Sequence, residues 1–158
     1  MSVKKDRGFM ELAIKWARAG IKKGQSPFGA CIVKNDKVIA CAHNTVWKDT
    51  DVTEHAEINA IKKANRKLKK IHLDDCTIYS TTEPCPMCFT AIHWSHIGRI
   101  VFGTDMKDSS KYGFNELKIP DKILASHQKR KIRITEGFMR EECLELFKEW
   151  KKSKGKKY

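Results

Sequence analysis

Residues 76–103 limit what this chain can fold into more than any other stretch. They read "CTIYST" (76–81), a short apolar run of the buried-strand type, then "PMCFTAIHWSHI" (86–97), with helical character, then "RIVFG" (99–103), a second such strand. The helix opens with Pro86 in its first turn, where a missing N–H does no harm. Strand, helix and strand in immediate succession call for a right-handed crossover, with the strands parallel and the helix laid on one face of the sheet.

The flanks extend that unit. Between 8 and 23, Phe9, Leu12, Ala13, Trp16, Ala17 and Gly20 recur at helical intervals, which predicts a helix with one apolar face. The apolar runs 28–33 and 37–42 are joined at "NDK", a hairpin pattern. From 54 to about 70 the spacing of Ala56, Ile58, Ala60, Ile61, Ala64 and Leu68 is again helical. Residues 105–120 read as irregular, "KIRIT" (131–135) as an edge strand, and 138–151 as a final amphipathic helix. The expected fold is α/β, a single domain over 1–158. It is a three-layer α/β/α sandwich on a mixed sheet of about five strands, with 138–158 forming a C-terminal helix and tail.

Hydrophobic content of 41% suits a globular protein, and no run approaches the ~20 apolar residues that span a bilayer. The opening "MSVKKDRGFMELAIKWARAG" interrupts its apolar residues with charge and offers no small-residue cleavage site, so it does not read as a signal peptide. The expected location is the cytoplasm, where thiols stay reduced. A formal charge of +13 has two readings, a nucleic-acid partner or a solvated Lys-rich surface. The densest runs, "KKANRKLKK" (62–70) and "KKSKGKKY" (151–158), lie at a helix end and at the C-terminus.

The chemistry gathers at "TEPCPMC" (82–88). Cys85 and Cys88 stand three apart at a helix start, so both side chains share one face. The helix N-terminus favours the thiolate, the form that binds metal. Such a pair alone fits a redox couple, half of a structural zinc clamp, or two ligands of a catalytic metal. A redox couple belongs after the first strand of this kind of fold, and here the pair follows the third. "TEHAEINA" (53–60) adds His55, with Glu57 two residues on, at the mouth of the preceding helix. Helices that follow adjacent parallel strands begin at the same sheet edge, so His55, Cys85 and Cys88 are expected to meet. Three protein donors with room for a water are the open coordination of catalytic zinc.

A fourth protein ligand is hard to find. His93 lies ~140° around the helix from Cys88, and His96 lies ~12 Å further along its axis. Cys31, Cys41, Cys76 and Cys143 sit in apolar runs, where a thiol is usually a small hydrophobe. His43 and His72 read as ordinary polar residues. Glu57 reaches the open position without binding the metal, the place for a group that takes a proton and hands it on. Alone, it reads more often as a first-turn Glu favoured by the helix dipole than as a catalyst.

His55-x-Glu57 with Pro84-Cys85-x-x-Cys88 resembles the signature of zinc deaminases that act on nucleobases, the cytidine/deoxycytidylate deaminase-like superfamily. The resemblance runs from about Phe9 to Phe114. Within it, "SPFGACIVKNDKVIACAHNTV", "TEHAEINAIKKA", "LDDCTIYSTTEPCPMCFTAIHW", "GF" (113–114) and the tail "LFKEWKKSKGKKY" are most similar to the bacterial guanine deaminase branch. "PFGA" (27–30) differs from the Pro-Val/Ile-Gly-Ala version usual in tRNA adenosine deaminases.

The resemblance implies a cytidine deaminase-like fold, one Zn2+ per chain held by His55, Cys85 and Cys88, and Glu57 as proton shuttle. It implies that Asn44 hydrogen-bonds the purine, Phe28 lines or stacks on its face, and the Ala56 backbone N–H meets a ring carbonyl. Trp94 matches an aromatic that lines the pocket, although it and Phe28 suit plain core packing about as well. Tyr158 matches the tail residue that folds over an active site, often that of a partner subunit. There are two departures. Phe114-Asn115-Glu116 stands where the branch has Phe-Asp-Asp, leaving Glu116 to read the guanine N–H edge on a longer arm. Glu54 precedes His55 where a small residue is common.

The expected function is hydrolysis of a nucleobase amine, guanine to xanthine and ammonia, in a homodimer with exchanged tails as a further expectation. The alternatives within the same chemistry are adenosine in tRNA, which the charge favours, cytosine, guanosine or an aminated triazine. The rival from another class is a non-enzymatic zinc-stabilised binding module, which predicts four protein ligands and no role for Glu57. No membrane partner is expected.

Overall fold

Successive side chains of a strand leave on opposite faces, and in this chain both sets are apolar. Ala30, Ile32, Ile78, Ile100 and Phe102 join one buried cluster, while Cys31, Val33, Tyr79 and Val101 join another. A sheet apolar on both sides needs cover on both sides. In the computed structural model, which describes residues 2–158, helices supply it. The elements are α1 (Val3–Lys22), β1 (Gly29–Lys34), β2 (Lys37–His43), α2 (Val46–Asp49), α3 (Ala56–Leu68), β3 (Cys76–Thr82), α4 (Pro86–Trp94), β4 (Arg99–Thr104), α5 (Met106–Lys111), α6 (Asp121–Ser126), β5 (Arg133–Thr135) and α7 (Arg140–Lys152). Residues of α1 and α7 cover one face, and those of α3 and α4 the other.

The sheet order is β2-β1-β3-β4-β5, antiparallel at β2/β1 and β1/β3, parallel at β3/β4 and β4/β5. This is the mixed five-stranded α/β/α arrangement expected, with β5 at the edge. The strands that lead into α3 and α4 are not the neighbours expected. The strand before α3 is not adjacent to β3, because β1 lies between them. Two antiparallel pairings in succession nevertheless leave β2 and β3 pointing the same way, so α3 and α4 still start from one edge.

Helix α1 begins at Val3, a turn and more before the predicted start, and carries Asp6 inward to 4% exposure. Arg99 of β4 meets that carboxylate with two hydrogen bonds, Nη1 to Oδ1 at 3.0 Å and Nη2 to Oδ2 at 2.9 Å, and the Tyr79 hydroxyl donates to it at 2.5 Å. This network fixes the first turn of α1 onto β3 and β4. Further along, a Cβ on Gly29 would stand 2.2 Å from the Ala13 carbonyl oxygen, so only glycine lets β1 lie this close to α1. Within 105–120, read as irregular, α5 forms behind a reciprocal capping box between Asp105 and Asp108.

The cysteines of the hairpin depart from expectation. Cys31 and Cys41 form a disulfide instead of serving as two reduced hydrophobes. They stand opposite one another in the β1/β2 register, a pairing that spacing alone does not reveal.

Candidate metal centre and active site

Two helices start where the site lies, and both start with the wrong residue for a helix. His55 is the N-cap of α3 and Cys85 the N-cap of α4, each in extended backbone and each without a side-chain capping bond. Ser, Thr, Asp or Asn at such a position stabilises a helix by ~0.5–2 kcal/mol. Both N-caps forgo that gain and turn their side chains toward each other. His55 Nδ1 lies 3.6 Å from Cys85 Sγ and 3.5 Å from Cys88 Sγ. With bonds of about 2.3 Å to sulfur and 2.0–2.1 Å to nitrogen, the N and S ligands of tetrahedral zinc stand about 3.6 Å apart. The donor set and its spacing therefore fit zinc, held by His55, Cys85 and Cys88.

The charges at this edge also suit a dication. The hydrogen bond from Cys88 brings the Cys85 thiol down to about 4, against the opposing effect of burial. Burial pushes the Cys88 thiol well up, with Cys85 and Glu57 adding to it. Burial works against a charged His55, yet the bond to Cys85 and the charge of Glu57 leave its pKa raised. Burial also raises Glu57 and Glu116 above the usual carboxylate range.

Glu57 is 5% exposed and sits one helical step inside α3. The Ser80 hydroxyl of β3 donates to its Oε1 at 2.7 Å, while Oε2 lies 3.5 Å from Cys88 Sγ. A carboxylate held this way borders the donor triad. A cavity of about 380 Å³ opens in front of it, lined by Phe28, His55, Glu57, Cys85, Glu116 and Tyr158 among others.

The C-terminal tail roofs that cavity. Phe147 and Trp150 of α7 belong to the core, and the chain beyond Ser153 turns back across the sheet edge. The Tyr158 hydroxyl accepts from Asn44 Nδ2 at 2.8 Å and lies 3.2 Å from His55 Nε2. The Trp47 indole N–H donates to the Lys156 carbonyl at 3.0 Å.

Of the residues nominated from sequence, the fold brings His55, Glu57, Cys85, Cys88, Phe28, Asn44, Glu116 and Tyr158 to one edge, with Ala56 buried between two cavity residues. Trp94 is a correction. At the end of α4 it is 72% exposed and does not line the cavity, because it falls on the solvent side of the helix. Asn44 is fully buried and donates to the Tyr158 hydroxyl beside the site.

Sequence reasoning missed Ser80, Glu83 and Ser109. Ser80 orients Glu57, and Ser109 donates to Glu116 Oε1 at 2.8 Å. Glu83 accepts from the backbone N–H groups of Met106 at 3.3 Å and Asp121 at 2.9 Å, tying the starts of α5 and α6 to the cavity wall. The available signal for Ser80 and Glu83 was the polar end of a buried strand, where Ser80, Thr81 and Thr82 lead into Glu83, all of them buried.

Residues 3–104 match the family model described as the cytidine and deoxycytidylate deaminase zinc-binding region. The chain is 38% identical over 154 residues to a tRNA-specific adenosine deaminase of Buchnera aphidicola subsp. Schizaphis graminum, covering 98% of this chain and 99% of that one. It is 35% identical over 150 residues to a guanine deaminase of Bacillus subtilis, covering 94% and 96%. The solved guanine deaminase of Nitrosomonas europaea superposes with a TM-score of 0.83 at 29% identity, over 90% of this chain and 82% of that one. With its zinc-ligand triad and this fold, the chain belongs to the zinc-binding cytidine and deoxycytidylate deaminase family.

Proposed function

We propose that the chain hydrolyses guanine to xanthine and ammonia, with Glu57 as its proton shuttle. The observation that carries this reading is the roofed cavity. Phe28 offers a ring face, Glu116 a carboxylate for N–H donors, and Tyr158 closes the mouth, an enclosure that suits a free base. Zinc, when bound by His55, Cys85 and Cys88, lowers the pKa of a water and makes it a nucleophile at neutral pH. Glu57 takes one proton of the attacking water as a C–O bond forms at C2 and passes it to the ring nitrogen. It then takes the second proton from the new hydroxyl and gives it to the amine, which leaves as ammonia when the C–N bond breaks. Burial serves this role, because a carboxyl raised from its usual range holds a proton long enough to pass it on. Ser80 aims the carboxyl, and Glu116 with the Ala56 N–H orients the base.

Adenosine in tRNA is the second reading, supported by the charge of +13 and by the identity to a tRNA-specific adenosine deaminase. A nucleic-acid loop reaches the cavity only with the tail swung away. Purified protein given guanine, cytosine, guanosine and tRNA separates the readings. Ammonia from guanine is expected, and Glu57→Gln should lose about 10²–10⁴-fold in turnover while keeping its zinc. Inosine in tRNA without ammonia from guanine would reverse the assignment.

A further inference from the structure

We propose that His72, Asp74 and His96 form a second metal site, at the opposite edge of the sheet, for a borderline divalent transition-metal ion of the Zn2+ type. Each side chain offers one ligand atom, and the three atoms lie within 4.8 Å of one another. His72 and Asp74 precede β3 and His96 precedes β4, so the cluster sits at the start of two parallel strands whose far ends face the catalytic centre.

The backbone builds the cluster. The Leu73 N–H donates to the Ser95 carbonyl at 2.6 Å and the Gly98 N–H to the Cys76 carbonyl at 3.2 Å, so the two loops are fixed together. His96 occupies the left-handed position just past α4, at φ 60°, with the His96 N–H on the His93 carbonyl and the Ile97 N–H on the Ile92 carbonyl. Glycine fills this place without strain, yet here the position carries an imidazole.

The result is two imidazoles stacked at 3.8 Å with planes 12° apart, beside a carboxylate 3.7 Å from His96 Nδ1. Two imidazoles and a carboxylate are a donor set that zinc and its borderline neighbours prefer over magnesium or calcium. His72 and Asp74 are exposed, so rotamer changes can close the donors to the ~3.4 Å spacing around a tetrahedral ion. Arg130 now supplies positive charge to Asp74 at 3.1 Å, and an arriving ion competes with it.

The test reads metal, not activity, and so stands apart from the substrate assignment. Zinc-loaded protein dialysed to equilibrium against micromolar Zn2+ should hold two ions per chain, one for each donor cluster. His72→Ala/His96→Ala should hold one, kept by His55, Cys85 and Cys88, since neither residue touches the catalytic cavity. Arg130→Ala should bind the second ion severalfold more tightly, and Asp74→Asn about tenfold more weakly. One ion per chain in the wild type, or two retained in the double variant, overturns the site.

Discussion

Gly155 is where the tail leaves α7, and one added methyl there separates a docked tail from a loose one. A Cβ at this position would stand 2.0 Å from Trp150 Nε1, 2.3 Å from its Cδ1 and 2.4 Å from its Cε2. Trp150 is 4% exposed and packs on Phe114 at 5.0 Å, so the indole has nowhere to go. The tail must give way instead. Three polar contacts hold it, at Asn44, His55 and Trp47, each worth about 0.5–1.5 kcal/mol net. Ordering the last residues costs a comparable amount, so the docked state has little margin. Overpacking of about 1–3 kcal/mol then shifts the tail toward the open state by about 5- to 150-fold. Because α7 ends at Lys152, Gly155→Ala should leave global unfolding unchanged within about 0.5 kcal/mol. Trypsin cleavage after Lys156 or Lys157 follows the open population and should accelerate until that population saturates. Ammonia release should fall with zinc content intact. Wild-type cleavage together with wild-type turnover would refute the roof.

Tyr158→Phe keeps the ring beside Phe114 but loses the contacts to Asn44 and His55, and chelator competition should show zinc held about 10-fold more weakly. Arg99→Leu strands the buried Asp6 carboxylate and should cost about 3–5 kcal/mol in urea unfolding at neutral pH, with Asp6→Asn added on top recovering part of it. Burial alone would raise the Asp6 carboxyl, but Arg99 and Tyr79 hold it below its ordinary value; its contribution is therefore complete above the unfolded pKa of ~3.9 and is lost as pH falls through the folded one, a slope absent from the double variant. Reducing the Cys31–Cys41 disulfide opens a loop of ten residues and should lower stability by about 2–3 kcal/mol in thermal unfolding with and without reductant.

What the sequence showed and what it hid divide along a physical line. His55, Glu57, Cys85 and Cys88 were legible because they stand at the N-caps or in the first turns of α3 and α4, where spacing dictates which side chains come together. The order of elements was legible because β3, α4 and β4 follow one another with clear changes of period. Contacts made across the sheet left no such trace. Cys31 meets Cys41 through a hairpin register that carries a shift between Ile32 and Val33. His72 meets His96 through two loops at strand starts, each of which reads alone as an ordinary polar residue. Trp94 belonged to a helix whose face could not be fixed from apolar content, since most of α4 is apolar on every side. Ser80 was hidden by its neighbours: a serine in a buried strand reads as tolerated until the carboxylate beside it is seen.

The choice between a catalytic and a merely structural centre rests on what surrounds the three donors. A structural zinc site closes on four protein ligands, and among the described residues this cluster contains three. The next group in, Glu57, is buried at 5% exposure, a costly place for a carboxyl that does nothing. Ser80 holds one of its oxygens at 2.7 Å while the other lies 3.5 Å from Cys88 Sγ, so the carboxyl borders the triad. Helix α3 has also given up its N-cap to place His55, and α4 its own to place Cys85. These local costs fall on one edge of the sheet and meet in one cavity, while the strands behind them carry an apolar core on each face. A scaffold that serves only to hold zinc gains nothing from a buried acid kept off the metal, whereas a deaminase needs that acid free to carry protons.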